Sequence, residues 1–113
     1  MPYLHIEVGK PLCEQSIDAL RKECESIISI IPGKNADNCM IQIESDCTMY
    51  MKGEKKACAF VDLRLYKASP AEKKQAFVTA LTNYLQEKLG IEANLIYMNI
   101  LELDSWAAAG TII

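Results

Sequence analysis

Residues 1–9, Met-Pro-Tyr-Leu-His-Ile-Glu-Val-Gly, set a pattern that the rest of the chain repeats. Leu4, Ile6 and Val8 fall on one side of an extended segment, and Tyr3, His5 and Glu7 fall on the other, the alternation of a half-buried strand. Ahead of that strand stands Pro2, preceded only by Met1. Because residue 2 is small, removal of Met1 is the expected processing. It would give Pro2 a free secondary amine, which can act as a base.

Next along the chain, Ile17, Leu20, Cys24, Ile27, Ile28 and Ile31 recur at intervals of three and four, the stripe of an amphipathic helix, and Pro32-Gly33 stops it. Cys39, Ile41 and Ile43 then alternate with Met40, Gln42 and Glu44 as a second strand. A polar, hairpin-like excursion, TMYMKGEKK (48–56), follows, its KGEKK run reading as a solvated turn. After it the same order returns. Ala59, Val61, Leu63 and Leu65 alternate with Phe60, Asp62, Arg64 and Tyr66. The stretch SPAE (69–72) predicts a helix start with Ser69 as N-cap, Pro70 in the first turn and Glu72 closing a capping box. Phe77, Leu81, Tyr84, Leu85 and Leu89 form the helical stripe, Gly90 supplies the stop, and NLIYMNIL (94–101) is the last long strand.

The interval from Leu4 to Ile41 is 37 residues, and so is that from Phe60 to Tyr97. The chain is therefore expected to be a single α/β domain over residues 1–113, a duplicated βαβ unit with pseudo-repeats at about 2–44 and 58–101. Right-handed crossovers place both helices on one face of a four-stranded mixed sheet. The other face carries Tyr3, His5, Glu7, Gln42, Glu44, Phe60, Asp62, Arg64 and Tyr66. Two readings fit it: a ring of subunits enclosing a hydrated channel, or an ordinary solvated sheet face.

Composition narrows the function. A net charge of -3 with no basic stripe speaks against nucleic acid as a partner. No apolar run reaches the roughly 20 residues of a membrane span, and no leader pattern is present, so the expected location is cytoplasmic. Release from the cell without a leader remains compatible with the sequence. The five cysteines, Cys13, Cys24, Cys39, Cys47 and Cys58, are odd in number and single, and are expected to be reduced and mainly small core residues. One histidine and no paired cysteines make a tetrahedral metal site unexpected. His5 reads as structural.

In order along the chain, MP before a hydrophobic strand, PGK (32–34), CMIQIESDCTMYMKG (39–53), CAFVDL (58–63) and IYMN (96–99) together resemble the macrophage migration inhibitory factor family of the tautomerase superfamily. The resemblance covers nearly the whole chain. It implies a homotrimer with active sites at subunit junctions, no cofactor, and keto-enol isomerase activity on a small aromatic α-keto acid, phenylpyruvate-like, or on dopachrome-like substrates. It further implies Pro2 as general base, Lys34 and the backbone amide of Tyr66 as contacts to the substrate carboxylate, and Tyr97 and Asn99 reaching in from a neighbouring subunit. Trp106 is then the aromatic available for a pocket wall.

The alternatives are a cytokine-like binding or signalling protein with vestigial tautomerase activity, and a superfamily decarboxylase or hydratase using Pro2 as an acid. Leu65-Tyr66-Lys67 stands where the family usually has Ser-Ile-Gly, which bears on pocket shape. Val61 replaces the second cysteine of the family's Cys-Ala-x-Cys, which excludes thiol-disulfide chemistry by that motif. The chain's two arginines, Arg21 and Arg64, fit poorly with the decarboxylating reading, which relies on arginines at the substrate.

Overall fold

The computed structural model describes residues 1–113. Strands β1 (Tyr3–Val8), β2 (Met40–Glu44), β5 (Ala59–Tyr66) and β6 (Ile96–Leu103) form one sheet in the order β2-β1-β5-β6. Helix α1 (Glu14–Ile27) joins β1 to β2, and α2 (Ala71–Leu89) joins β5 to β6. Four short strands form two hairpins outside these units: β3 (Tyr50–Met51) with β4 (Glu54–Lys55) between them, and β7 (Ala107–Ala108) with β8 (Thr111–Ile112) after the second. That last hairpin lies in the tail segment 106–113.

The 37-residue interval is the register itself. Leu4 pairs with Ile41 in the parallel β1–β2 ladder, and Phe60 with Tyr97 in the parallel β5–β6 ladder. The two halves join through the antiparallel β1–β5 pair, in which Tyr3 faces Arg64 and Val8 faces Ala59. Each parallel pair needs a crossover connection, and a helix supplies it.

Both helices cover one face. Leu4, Ile6, Val8, Val61, Leu63 and Leu65 from the sheet are fully buried against Leu20, Cys24 and Ile28 of the first connection and Phe77, Leu81 and Leu85 of α2. Burial of each such large side chain contributes roughly 1.5–3 kcal/mol. The opposite face is a polar network spanning all four strands. The Tyr3 hydroxyl donates to Gln42 at 2.6 Å, and the Arg64 guanidinium binds Asp62 at 3.1 Å while lying 5.9 Å from the Tyr3 ring centroid. His5 Nε2 stands 3.7 Å from a Glu44 carboxylate oxygen.

Local chemistry explains the helix ends, with one correction. α1 tightens into a 3-10 turn at Ile28–Ile30, and Ile31, preceding Pro32, is extended at φ -76° and ψ 120° because proline's ring crowds a helical predecessor. α2 ends at Gly90 with φ 68°, its last carbonyls taken by the amides of Gly90 and Ile91. The expected Ser69 N-cap and capping box do not form. Pro70 is the N-cap and makes no side-chain cap bond, while the Ser69 amide donates to Glu102 of β6 at 2.6 Å. Glu102 also accepts from Lys74 at 2.8 Å, so a carboxylate distant in sequence does the work a local cap would do.

The cysteines correct a second expectation. All five are free thiols, but only Cys24 and Cys58 are buried; Cys39 and Cys47 are half-buried and Cys13 is exposed. Burial pushes the Cys24 thiol up to about 12.

Candidate active site

Pro2 sits where β1 begins and is buried. Its carbonyl accepts from the Met40 amide at 3.0 Å, which ties the start of β1 to the start of β2. Lys34 is brought to the same place by a tight turn. The Lys34 amide donates to the Ile31 carbonyl at 3.1 Å, with Pro32 at the second position and Gly33 at φ 78° in the third, a type II arrangement that needs glycine there. Asn35 then caps the following 3-10 turn, accepting from the Asp37 amide at 2.9 Å while its own amide donates to Asn38. This rigid connection runs directly into Cys39 and Met40.

These segments enclose a cleft of about 720 Å³ around Met1 and Pro2. One wall is Asp37–Met40, and the other is Trp106–Ala109 from the tail hairpin. The hairpin turn holds Ala109 at φ 51° and Gly110 at φ 81°, the two consecutive left-handed residues of a type I′ turn. Burial first, and then the charge of the Lys34 ammonium, hold the amine at Met1 below the usual α-amino range. Lys34 is thus electrostatically coupled to the Met1 amine. Burial pushes the Cys39 thiol up to about 11, against the opposing effect of that amine's charge.

Tyr66 ends β5 at the same end of the sheet. Continuing the β1–β5 register by two residues sets Met1 opposite Tyr66. The Lys67 amide donates to Leu103 on the β6 side at 2.8 Å, so strand alternation directs the Tyr66 amide to the β1 side, toward the cleft. Lys67 itself adopts φ 72°, the left-handed conformation for which the glycine of a Ser-Ile-Gly sequence is suited.

Tyr97 and Asn99 are not brought to Pro2 within one chain. Tyr97 lies level with Glu7, at the far end of β1 and two strands away. With about 3.3 Å per residue and about 4.8 Å between strands, it is over 10 Å from the cleft. It is 57% exposed and lines a separate cleft of about 410 Å³ with Lys52, Lys56 and Asn94. Asn99 donates to Asp62 at 3.0 Å on the polar sheet face.

Neither arginine reaches the Pro2 cleft. Arg21 binds Asp18 and Glu25 beside a groove of about 600 Å³ between α1 and β2, and Arg64 is held on the sheet face by Asp62. For metal ligation, Glu7, Glu44 and Cys47 place ligand atoms within 4.8 Å of one another on the open sheet face, remote from Pro2. No helix is long and apolar enough to cross a membrane. The cleft residues that sequence reasoning missed are Tyr3, Asp37–Met40 and Ala107–Ala109, and the available signal was their position within a few residues of Pro2, Lys34 and Trp106.

A search of curated proteins finds no match. Among solved structures, Leishmania major MIF2 superposes with a TM-score of 0.89 at 20% identity, covering 100% of this chain and 97% of its own. The macrophage migration inhibitory factor-like protein of Entamoeba histolytica gives 0.87 at 22% identity, covering 99% and 98%. Pt0534, solved after inactivation by 2-oxo-3-pentynoate, gives 0.84 at 14% identity, covering 96% and 93%. These likenesses establish the fold. The family model described as Macrophage migration inhibitory factor (MIF) matches residues 1–113, and the chain belongs to that family.

Proposed function

We propose that the protein is a tautomerase that interconverts the enol and keto forms of a small aromatic α-keto acid, phenylpyruvate-like or dopachrome-like, with the Pro2 amine as general base. The observation that carries this reading is the burial of Pro2 in a cleft shared with Trp106, with the adjacent Met1 amine electrostatically coupled to Lys34. Met1 must first be removed, because an amide nitrogen has no basic lone pair. Its removal vacates the position opposite the Tyr66 amide, which with Lys34 then offers two contacts to a carboxylate. An α-keto acid also inactivates Pt0534, which shares the fold.

In ketonisation the Pro2 amine takes the proton of the enol hydroxyl. The C=C pair moves to form the C–H bond as the conjugate ammonium returns a proton to carbon, and the oxygen keeps its electrons as C=O. Atoms and electrons balance without a cofactor. A lowered amine is neutral in a larger fraction at any given pH than a free α-amine, which favours its use as a general base. Tyr97 and Asn99 complete the site in this reading only from a second subunit, which accords with the homotrimer, with sites at subunit junctions, that the family resemblance implies. No arginine lines the cleft, which favours proton transfer over the decarboxylase and hydratase alternatives.

The test is ketonisation of enol-phenylpyruvate by protein whose N-terminus has been verified by intact mass. Expected are turnover when Pro2 is terminal and loss of turnover when its amine is acylated. Activity that survives acylation overturns the mechanism. Absence of turnover with a free Pro2 amine favours the binding-protein alternative.

A further inference from the structure

The tail hairpin supplies one wall of the cleft, yet little of its own structure can hold it there. β7 and β8 share two register pairs, and the Ile113 amide adds a bond to the Trp106 carbonyl at 2.8 Å. A two-stranded ribbon of this size is marginal in isolation. Its turn is further burdened by Ala109 at φ 51°, where a side chain is unfavourable. The wall therefore needs an attachment outside the hairpin.

The end of β5 provides it at both ends of the tail. The Lys67 amide holds the Leu103 carbonyl at 2.8 Å, just before the hairpin begins. The Tyr66 hydroxyl donates to the main-chain carbonyl of Ile113 at 3.2 Å, across 47 residues of sequence. The Lys67 ammonium lies 5.0 Å from the Tyr66 ring centroid and steadies the ring that carries this hydroxyl.

We propose that the Tyr66 side chain is a positioning residue that clasps the tail hairpin so that Trp106–Ala109 form the apolar wall against which the substrate's ring packs. The proposal rests on the tautomerase reading of the Pro2 cleft and extends it to substrate selection. It assigns Tyr66 two separable tasks, the backbone amide toward the substrate carboxylate and the hydroxyl toward Ile113. The class of ligand affected is the aromatic α-keto acid; a short aliphatic one, which does not reach the wall, is indifferent to the clasp.

Trp106 is the chain's one tryptophan, so its emission reports the hairpin directly. In Tyr66→Phe, which keeps the ring and loses the hydroxyl, Trp106 emission should shift to longer wavelength and acrylamide quenching should increase. KM for enol-phenylpyruvate should rise about threefold to tenfold, the range of one lost hydrogen bond, with kcat changed less than about twofold. KM for enol-pyruvate should stay within about twofold. Removal of Ile113, which takes away the acceptor of the Tyr66 hydroxyl together with the Ile113–Trp106 bond, should change emission, quenching and KM in the same direction and at least as far, and adding Ala109→Gly to Tyr66→Phe should recover part of the loss by relaxing the turn. Parent-like emission and quenching in both Tyr66→Phe and the shortened chain overturn the clasp. Altered emission with an unchanged KM, or equal loss for both substrates, overturns the wall's role in selection. Because emission does not depend on turnover, an inactive parent protein would refute the role of Pro2 while the fluorescence still decided the clasp.

Discussion

Asn99 donates its side-chain amide to Oδ1 of Asp62 at 3.0 Å, and the two residues are direct register partners across β5 and β6. The bond fixes the Asn99 side chain on the open sheet face, while Arg64 holds the other Asp62 oxygen. Asn99→Ala removes one of two partners of a carboxylate whose side chain is only 17% exposed, and should lower stability by about 1 kcal/mol in urea unfolding. If Asn99 also serves a neighbouring subunit's Pro2, function shows it by mixing. Subunits with an acylated Pro2 amine, refolded with equal amounts of Asn99→Ala subunits, should regain about a quarter of parent activity, since random assembly brings the two intact groups together at that frequency. A mixture no more active than its separate components would mean that each site is built within one chain.

Lys67 at φ 72° gives a cleaner stability comparison. Lys67→Ala and Lys67→Gly both lose the cation over the Tyr66 ring, so their difference isolates the backbone. The glycine variant should be the more stable by about 1 kcal/mol, because the left-handed conformation is strained for any residue with a Cβ. Equal unfolding midpoints would show that the segment relaxes out of that conformation.

Much of the fold was legible because its signals are periodic and local. The common 37-residue interval is the register of both parallel ladders, and the alternation in β1 and β5 separates buried from open faces as expected. The start of α2 was misread because Glu102, which binds the Ser69 amide, is 33 residues away, and no local pattern announces such a partner. The last strand begins at Ile96 rather than Asn94, since Ala93–Leu95 close a 3-10 turn first. For the site, proline, lysine and tryptophan were nameable from sequence, but their sharing one cleft depends on the type II turn and the tail hairpin. The hairpin's sole hint was Gly110, preceded by alanine rather than the asparagine usual in such turns.

Glu102 should also contribute to the loss of stability in acid. Its carboxyl is held below the ordinary range, first by the Lys74 ammonium and then by the Ser69 amide. A group whose folded-state pKa is depressed contributes stability that is present above its unfolded value, about 4.3, and lost as pH falls through the lower folded value. Between about pH 5 and pH 3 the parent should therefore lose more stability than Glu102→Gln. Parallel curves of melting temperature against pH for the two proteins would remove Glu102 from that role.

The pH dependence of catalysis tests the cleft itself. The amine at Met1 is already held below the usual 7.7–8.0 although Met1 is 41% exposed, and Pro2, one residue deeper, is buried. Burial disfavours the ammonium form, so a terminal Pro2 amine should lie low as well, and the base is active only when neutral. Accordingly kcat/KM should rise with pH through a midpoint below 7.7 and level off above it. Lys34→Ala removes the second cause and leaves the first. Its midpoint should move upward yet stay below that of an exposed α-amine, because burial is the larger effect. The same variant should raise KM more than it lowers kcat if Lys34 holds the substrate carboxylate equally in ground and transition states. A parent midpoint near 8 would show that the cleft does not lower the amine, a midpoint unmoved in Lys34→Ala would show that the lysine is not coupled to it, and full activity in protein that retains Met1 would show that Pro2 is not the base.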